Sequence, residues 1–472
     1  MQLYKANQGP CEKLTECILD MVTPQPAYVH DAFSPFRLKM VDEGCGPASI
    51  GAFRATHARM VSGGDLMLRE INLWPIDYLP TLAELDAPWP VQRAGALLRA
   101  TVMVKLNGDV GTEMGLDTTK ALLPLKGADT FLDFAAKQVA HLRKLHGVDL
   151  AFVVMNSFAT SAHTMAHLAK YDGLAAAGLE LELTQNKSPK IDAKTGQPAA
   201  CHPNPELDWA PPGHGDLYAA LSGSGMLDRL LESGMKYMFV SEADNCGATL
   251  DLQLLSYFAD TGAPFLMECV PRTAADTHGG HLARDKDGAY VLREATQCVP
   301  EERGYFEDWE RHKFLNTNNL WVDLAALKGV LTKGNGALPL RVMKLTEPAE
   351  AEPSSSDPDG RAPTSSQKPR SAPQAASNQR FGLRTAAGAA IECFPGAKVI
   401  LSPRSRFSPI RSTADLLVIS SDAYEETVGH RMVLKASRRD VPPIVRLDAL
   451  YRCETARRGG KGTSARVCGC GQ

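Results

Sequence analysis

The sequence predicts an α/β protein, a mostly parallel sheet with helices on both faces. Two observations carry that prediction. From Thr101 onward, short apolar runs of strand length alternate with longer helix-like stretches. The first of these runs leads straight into a glycine-rich loop, and ligands in such folds bind at the carboxyl ends of the strands.

The strand-like runs are Val102–Leu106, Leu150–Met155, Leu179–Leu183, Tyr237–Val240 and Phe265–Val270, with Val399–Leu401 and Leu416–Ile419 further on. Between them, Phe131–Leu145, Ala162–Leu168, Met226–Leu231, Leu250–Phe258 and Leu324–Leu331 read as helices. Residues 1–100 form a mainly helical N-terminal region in which Cys17–Met21 and Ala94–Leu98 are the clearest helical segments. Residues 101–435 carry the alternating pattern. They are interrupted at 348–380 by a Pro-, Ser- and Ala-rich insertion with too few apolar side chains to offset the entropy of ordering, which predicts disorder. Residues 436–472 end in an Arg/Gly/Cys-rich tail without periodicity.

With 472 residues, 44% hydrophobic, the chain can bury a sizeable core. A formal net charge of −3 gives no footprint for nucleic acid or membrane binding. No apolar run approaches a membrane span, and the N-terminus lacks the pattern of a secretory signal. The 11 cysteines are scattered; Cys246, Cys269, Cys298 and Cys393 lie in apolar or strand-like runs, as expected of reduced thiols in the cytoplasm. Cys453, Cys468 and Cys470 are poorly spaced for zinc.

The chemistry-bearing residues follow the strands. LNGDVGTEMG at Leu106–Gly115 places Gly108, Gly111 and Gly115 after an apolar strand and, as read, before a helix, a pattern that suits phosphate binding and also serves as a plain turn. Lys120 is close enough in sequence to neutralise phosphates. WAPPGHGDLY at Trp209–Tyr218 holds His214 between two glycines. Asp244 lies just past the strand-like run Tyr237–Val240, as a Mg²⁺ ligand or a helix cap. NTNNLW at Asn316–Trp321 offers amides for sugar hydroxyls or for turns, and Arg404, Arg406 and Arg411 offer guanidinium groups for phosphate or for solvent.

Taken in order, these motifs, with TFLDF at 130–134, MNSF at 155–158, ADNCGATLD at 243–251, GGHL at 279–282, TAAGAAI at 385–391 and PRSRFSPIRSTADLL at 403–417, resemble the UTP–glucose-1-phosphate uridylyltransferases, or UDP-glucose pyrophosphorylases. The resemblance runs from about Thr101 to Val433. It implies a Rossmann-like nucleotidyltransferase domain followed by a C-terminal left-handed β-helix, which this sequence shows as missing or truncated. It implies UTP, glucose 1-phosphate, UDP-glucose and pyrophosphate as ligands and Mg²⁺ as cofactor. It leaves self-association open. A catalytically weakened or inactive nucleotide-sugar binding homologue, or an enzyme for another hexose 1-phosphate, are the alternatives.

Residue by residue, the resemblance places Leu106, Asn107, Gly108, Gly111, Met155, Gln185 and Gly213 at the nucleotide, with Gln185 pairing the uracil. It places His214, Asn318 and Asn319 at the glucosyl phosphate and sugar. Lys120, Arg411 and Asp244 would be catalytic, Asp244 also holding the metal. The chain departs from the family's pattern at Asp109 (a glycine), Glu242 (an asparagine), and Arg411 and His278 (lysines). A second unit charge 4 Å from the triphosphate costs about 1 kcal/mol in water and about 4 kcal/mol at an effective dielectric near 20, so Asp109 is expected to weaken UTP binding.

Overall fold

The computed structural model describes residues 31–63, 66–85, 92–111, 114–116, 119–200, 205–274, 276–277, 279–346, 379–438, 443–445 and 447. Residues 348–378 of the 348–380 insertion, the expected helix at 17–21, the Cys-rich tail and the place of any terminal β-helix lie outside the described residues, and the insertion's last residue, Arg380, is not disordered but opens the strand Arg380–Thr385.

The centre is a nine-stranded mixed sheet. Its strands are β1 (Thr101–Asn107), β2 (Ala151–Asn156), β3 (Glu182–Thr184), β4 (Tyr237–Glu242), β5 (Phe265–Pro271), β6 (His281–Arg284), β7 (Tyr290–Arg293), β8 (Phe314–Asp323) and β9 (Lys398–Leu401). The spatial order is β7-β6-β8-β4-β1-β2-β3, with β5 also pairing β8 and β9. The β4-β1-β2-β3 half is parallel, whereas β8 runs antiparallel to β4, β5 and β6. β9 joins the sheet parallel to β5.

Every residue of β1 is buried. Alternate side chains enter two different cores: Val102, Val104 and Leu106 pack on one face, Met103 on the other. A strand covered on both faces reads as a continuous apolar run, which is why it was legible in sequence. The helix Phe131–His146 is launched by a capping box between Thr130 and Asp133 and stopped by Gly147 at φ 61°.

Two local expectations are corrected. Leu416–Ile419 is not a strand but part of the helix Thr413–Ser420. A short apolar run is ambiguous, and the capping box between Ser412 and Asp415 decides for helix. Among the described residues no α-helix follows the glycine-rich loop directly; the 3₁₀ turn Lys120–Leu122 and a hairpin come before the helix at Phe131. No helix among the described residues is long and apolar enough to cross a membrane.

Candidate active site

The register aligns the carboxyl ends of the parallel strands: Leu106 is level with Met155 and Glu242, and Asn107 with Asn156. The loops leaving these ends build the site. Asn107 fixes the first. Its amide donates to Asn156 Oδ1 (2.7 Å) and Thr164 Oγ1 (2.8 Å), while its carbonyl accepts from Thr160 Oγ1 (2.8 Å). Ser157 Oγ donates to the Gly108 carbonyl at 3.0 Å, and the Leu106 carbonyl accepts from the Ala243 N–H at 2.9 Å. The asparagine and leucine thus pin the loop to its neighbours. A β-carbon at Gly108 would lie 2.9 Å from Gln185 Oε1, so the glycine makes room for Gln185. Gly111 takes φ 71°. Thr112 and Glu113 lie outside the described residues.

Gln185 Nε2 donates to the Gly213 carbonyl at 2.7 Å, and Gln185 Oε1 is buried without a protein partner. A buried lone acceptor costs free energy until a donor meets it. Gly213, at φ 84°, runs so close to the strand Arg380–Thr385 that a β-carbon would sit 2.5 Å from the Thr385 carbonyl oxygen. A β-carbon at Gly215 would meet Thr385 Oγ1, also at 2.5 Å. Both glycines of the Gly-His-Gly motif are therefore demanded by close approach to Thr385. His214 Nδ1 accepts from the Ala387 N–H at 2.9 Å. Since a backbone N–H can only donate, Nδ1 is unprotonated and Nε2 carries the hydrogen. Burial lowers the His214 pKa, which keeps the ring neutral, although Glu294 opposes the shift. Met155 lies 2% exposed in the apolar core beneath the loops.

The charged centre lies on the other side of β1. Lys120 is held between two carboxylates, 2.7 Å from Asp244 Oδ2 and 2.9 Å from Asp109 Oδ2. Burial disfavours its charge, but Asp244 and Asp109 outweigh this and raise its pKa. Asp109 Oδ1 accepts from the Gly111 N–H at 2.8 Å. Desolvation by the surrounding protein would favour the neutral acid although the side chain still reaches solvent, yet Lys120 and that N–H hold Asp109 below the usual carboxylate range. Asp244 is not the helix cap; Asp251 caps the following helix by accepting from Gln253 and Leu254 N–H groups.

Glu242 is raised by burial and by Asp244, and its Oε1 accepts from Asn318 Nδ2 at 3.0 Å. Asn318 sits at φ 56°, locked by two hydrogen bonds with Asn316. Asn319 is wholly buried instead. Its amide is turned toward Glu268 Oε2 (3.5 Å) and the Arg406 carbonyl (3.3 Å), so of the pair only Asn318 reaches the cleft.

The three candidate arginines part company. Arg404 pairs with Asp276, and Arg406 is buried in a two-pronged ion pair with Glu268 at 2.6 and 2.7 Å. Arg411 is the exception: a β-carbon at Gly279 would lie 3.2 Å from both its Nη1 and Nη2. His278 lies outside the described residues. Sequence reasoning missed Glu294, whose carboxyl would crowd a β-carbon at Gly280; desolvation raises its pKa and Arg411 opposes the shift. Nothing in its sequence neighbourhood signals this. It also missed Lys105, whose signal was visible as a lone charge inside an apolar strand.

Comparison with known proteins gives the family and the fold. The family model of UTP–glucose-1-phosphate uridylyltransferase matches residues 52–356 and 363–458. A probable UTP–glucose-1-phosphate uridylyltransferase of Schizosaccharomyces pombe is 33% identical over 391 residues, covering 81% of this chain and 71% of the relative. The Solanum tuberosum UTP–glucose-1-phosphate uridylyltransferase is 34% identical over 355 residues, covering 75% and 67%. Among solved structures, a variant of UDP-glucose pyrophosphorylase from Leishmania major in complex with UDP-glucose superposes with a TM-score of 0.81 at 39% identity, covering 91% of this chain and 87% of that one. A UDP-glucose phosphorylase from Trypanosoma brucei gives 0.80 at 37%, covering 90% and 86%. With the family model matched over most of its length and relatives a third identical across three quarters or more of it, the chain belongs to the UTP–glucose-1-phosphate uridylyltransferase family.

Proposed function

We propose that residues 101–435 form the nucleotidyltransferase domain and that this chain joins UTP and glucose 1-phosphate to give UDP-glucose and pyrophosphate. The observation that carries the reading is Gln185 Oε1, a buried acceptor without a partner, set across β1 from the Lys120–Asp244 pair. An acceptor suits the N3–H of uracil, and the lysine suits the phosphates. A phosphate oxygen of glucose 1-phosphate attacks the α-phosphorus of UTP in line. One P–O bond forms and the bond to pyrophosphate breaks, with no covalent protein intermediate. Catalysis then rests on positioning and on charge. Gln185 and Gly213 hold the base, with the pinned backbone of Leu106, Asn107 and Gly108 beneath it. His214 offers Nε2–H to the glucosyl phosphate and Asn318 its amide to the sugar, while Lys120 and Arg411 meet the transferred phosphate.

Among the described residues no three His, Cys, Asp or Glu side chains converge as a metal cage. A single carboxylate such as Asp244 nevertheless suits Mg²⁺, which takes most of its ligands from phosphates and water. When bound, the ion supplies charge neutralisation at the phosphates. A weaker enzyme is the second reading, favoured by the grip of Asp109 on Lys120. The test is pyrophosphate release from UTP and glucose 1-phosphate with Mg²⁺, beside calorimetric titration with UDP-glucose. Release with tight binding is expected. Binding without release overturns the enzyme reading, and faster release with galactose 1-phosphate or N-acetylglucosamine 1-phosphate overturns the choice of glucose.

A further inference from the structure

Lys105 lies in the middle of a strand whose other buried side chains are apolar or hydroxyl- and amide-bearing, and it is 1% exposed. A buried ammonium without a close counter-ion is expensive, and an apolar side chain would fill the same space more cheaply. Its hydrogen bonds go to main-chain carbonyls, that of Ala248 at 3.0 Å and that of Glu242 at 3.5 Å. These two carbonyls bracket residues 243–247, the turn that presents Asp244 to Lys120. Other bonds hold the turn from outside: the Ala243 N–H to the Leu106 carbonyl at 2.9 Å, and the Asn245 amide to the Arg406 carbonyl at 3.2 Å. Lys105 grips both ends of it from beneath, and it does so from the strand that leads directly into the nucleotide loop.

We propose that Lys105 is a positioning residue for the reaction, clamping the 242–248 turn so that the Asp244 carboxylate stays in register with Lys120 and with the nucleotide loop. The proposal rests on the functional reading above for its catalytic consequence, and on geometry alone for the clamp. Burial pulls the lysine down to about 8, with nearby Asp244 and Glu242 opposing the shift. An ammonium bridging two carbonyls is stronger than a neutral donor would be.

The test uses the full chain with Lys105→Met, which keeps the length and removes the donor, and Lys105→Gln, which keeps a neutral donor. The first readout is turnover: kcat falls roughly ten- to hundredfold in Lys105→Met, because displacement by about 1 Å is enough for that loss, and less in Lys105→Gln. The affinity for UDP-glucose by calorimetry, set by Gln185 and Gly213 across β1, changes less than about threefold on the same scale of effects. The second readout does not need turnover. The coupling between Lys120→Met and Asp244→Asn in thermal unfolding is present in the parent and disappears when Lys105 is methionine. Unchanged coupling, or kcat equal to the parent's, overturns the proposal. So does failure of both variants to fold, since Lys105 would then be a requirement of the fold. A parent without turnover sinks the functional reading instead, and the coupling still decides the clamp.

Discussion

The Asp109 carboxylate lies 2.9 Å from the ammonium of Lys120, which also pairs with Asp244 at 2.7 Å. The charge that was expected to repel the triphosphate is thus spent on the cation that should receive it. The two effects act in the same direction on UTP affinity, but they differ in size. The Asp109 side chain is 62% exposed, so its ion pair is screened and worth at most about 1 kcal/mol.

Asp109→Gly is therefore expected to free Lys120 and lower the KM for UTP about two- to fivefold, with the gain shrinking as salt rises. Steady-state kinetics at two ionic strengths checks this. An unchanged KM would mean that Asp109 and Lys120 already behave as a neutral unit toward the nucleotide.

Gly213→Ala places a β-carbon 2.5 Å from the Thr385 carbonyl in a backbone at φ 84°, so the loop bearing His214 must move. Affinity for UDP-glucose should drop at least about tenfold, a change of ~1.4 kcal/mol. Gly127→Ala is the control, since Gly127 also has positive φ (61°) but nothing within 4 Å of its β-carbon position. It should lose some stability and no affinity. Equal losses of affinity in both variants would refute the close-approach argument.

Arg406→Met should strand the Glu268 carboxylate, which is 0% exposed and also accepts from Trp321 Nε1 and Ser402 Oγ. Breaking a buried pair from one side costs about 3–5 kcal/mol. Chemical denaturation should show that loss. A drop below about 1 kcal/mol would refute the argument that the pair's loss leaves a stranded buried charge.

His281 gives the pH dependence. The ring is wholly buried and stacks on His312 with centroids 3.8 Å apart. Burial lowers its pKa well below 6.5, with His312 acting in the same direction. The folded chain therefore keeps it neutral while the unfolded chain protonates it below about pH 6.5. The unfolded state binds more protons, so stability falls as pH drops through that value, by ~1.4 kcal/mol for each further unit. His281→Phe should abolish this contribution. Unfolding free energies at pH 7.5 and 5.5 test it: the parent should lose about 1.4 kcal/mol more than the variant between them. Equal losses would assign the acid sensitivity to other groups.

How much was legible depended on the range of the interaction. Strands buried on both faces, such as Thr101–Asn107 and Ala151–Asn156, announce themselves as apolar runs because the pattern is local. Leu416–Ile419 was misread because four apolar residues carry no period, and the deciding information was the Ser412–Asp415 capping box upstream. The glycines of Gly213-His214-Gly215 were noticed, but the reason for them was not: it is the carbonyl and hydroxyl of Thr385, 172 and 170 residues away in the chain (385 − 213 and 385 − 215).

By itself, then, the sequence determined the α/β class, the order of the loops and the family, because periodicity and motif order are properties of a linear chain. Only the tertiary structure decided which charges meet. It joined both Asp109 and Asp244 to Lys120, sent Arg404 and Arg406 to Asp276 and Glu268, left Arg411 beside Gly279, and turned Asn319 into the core while leaving Asn318 in the cleft. Electrostatic partnership acts through space over a few ångströms, and residues more than a hundred positions apart come that close only once the sheet has formed.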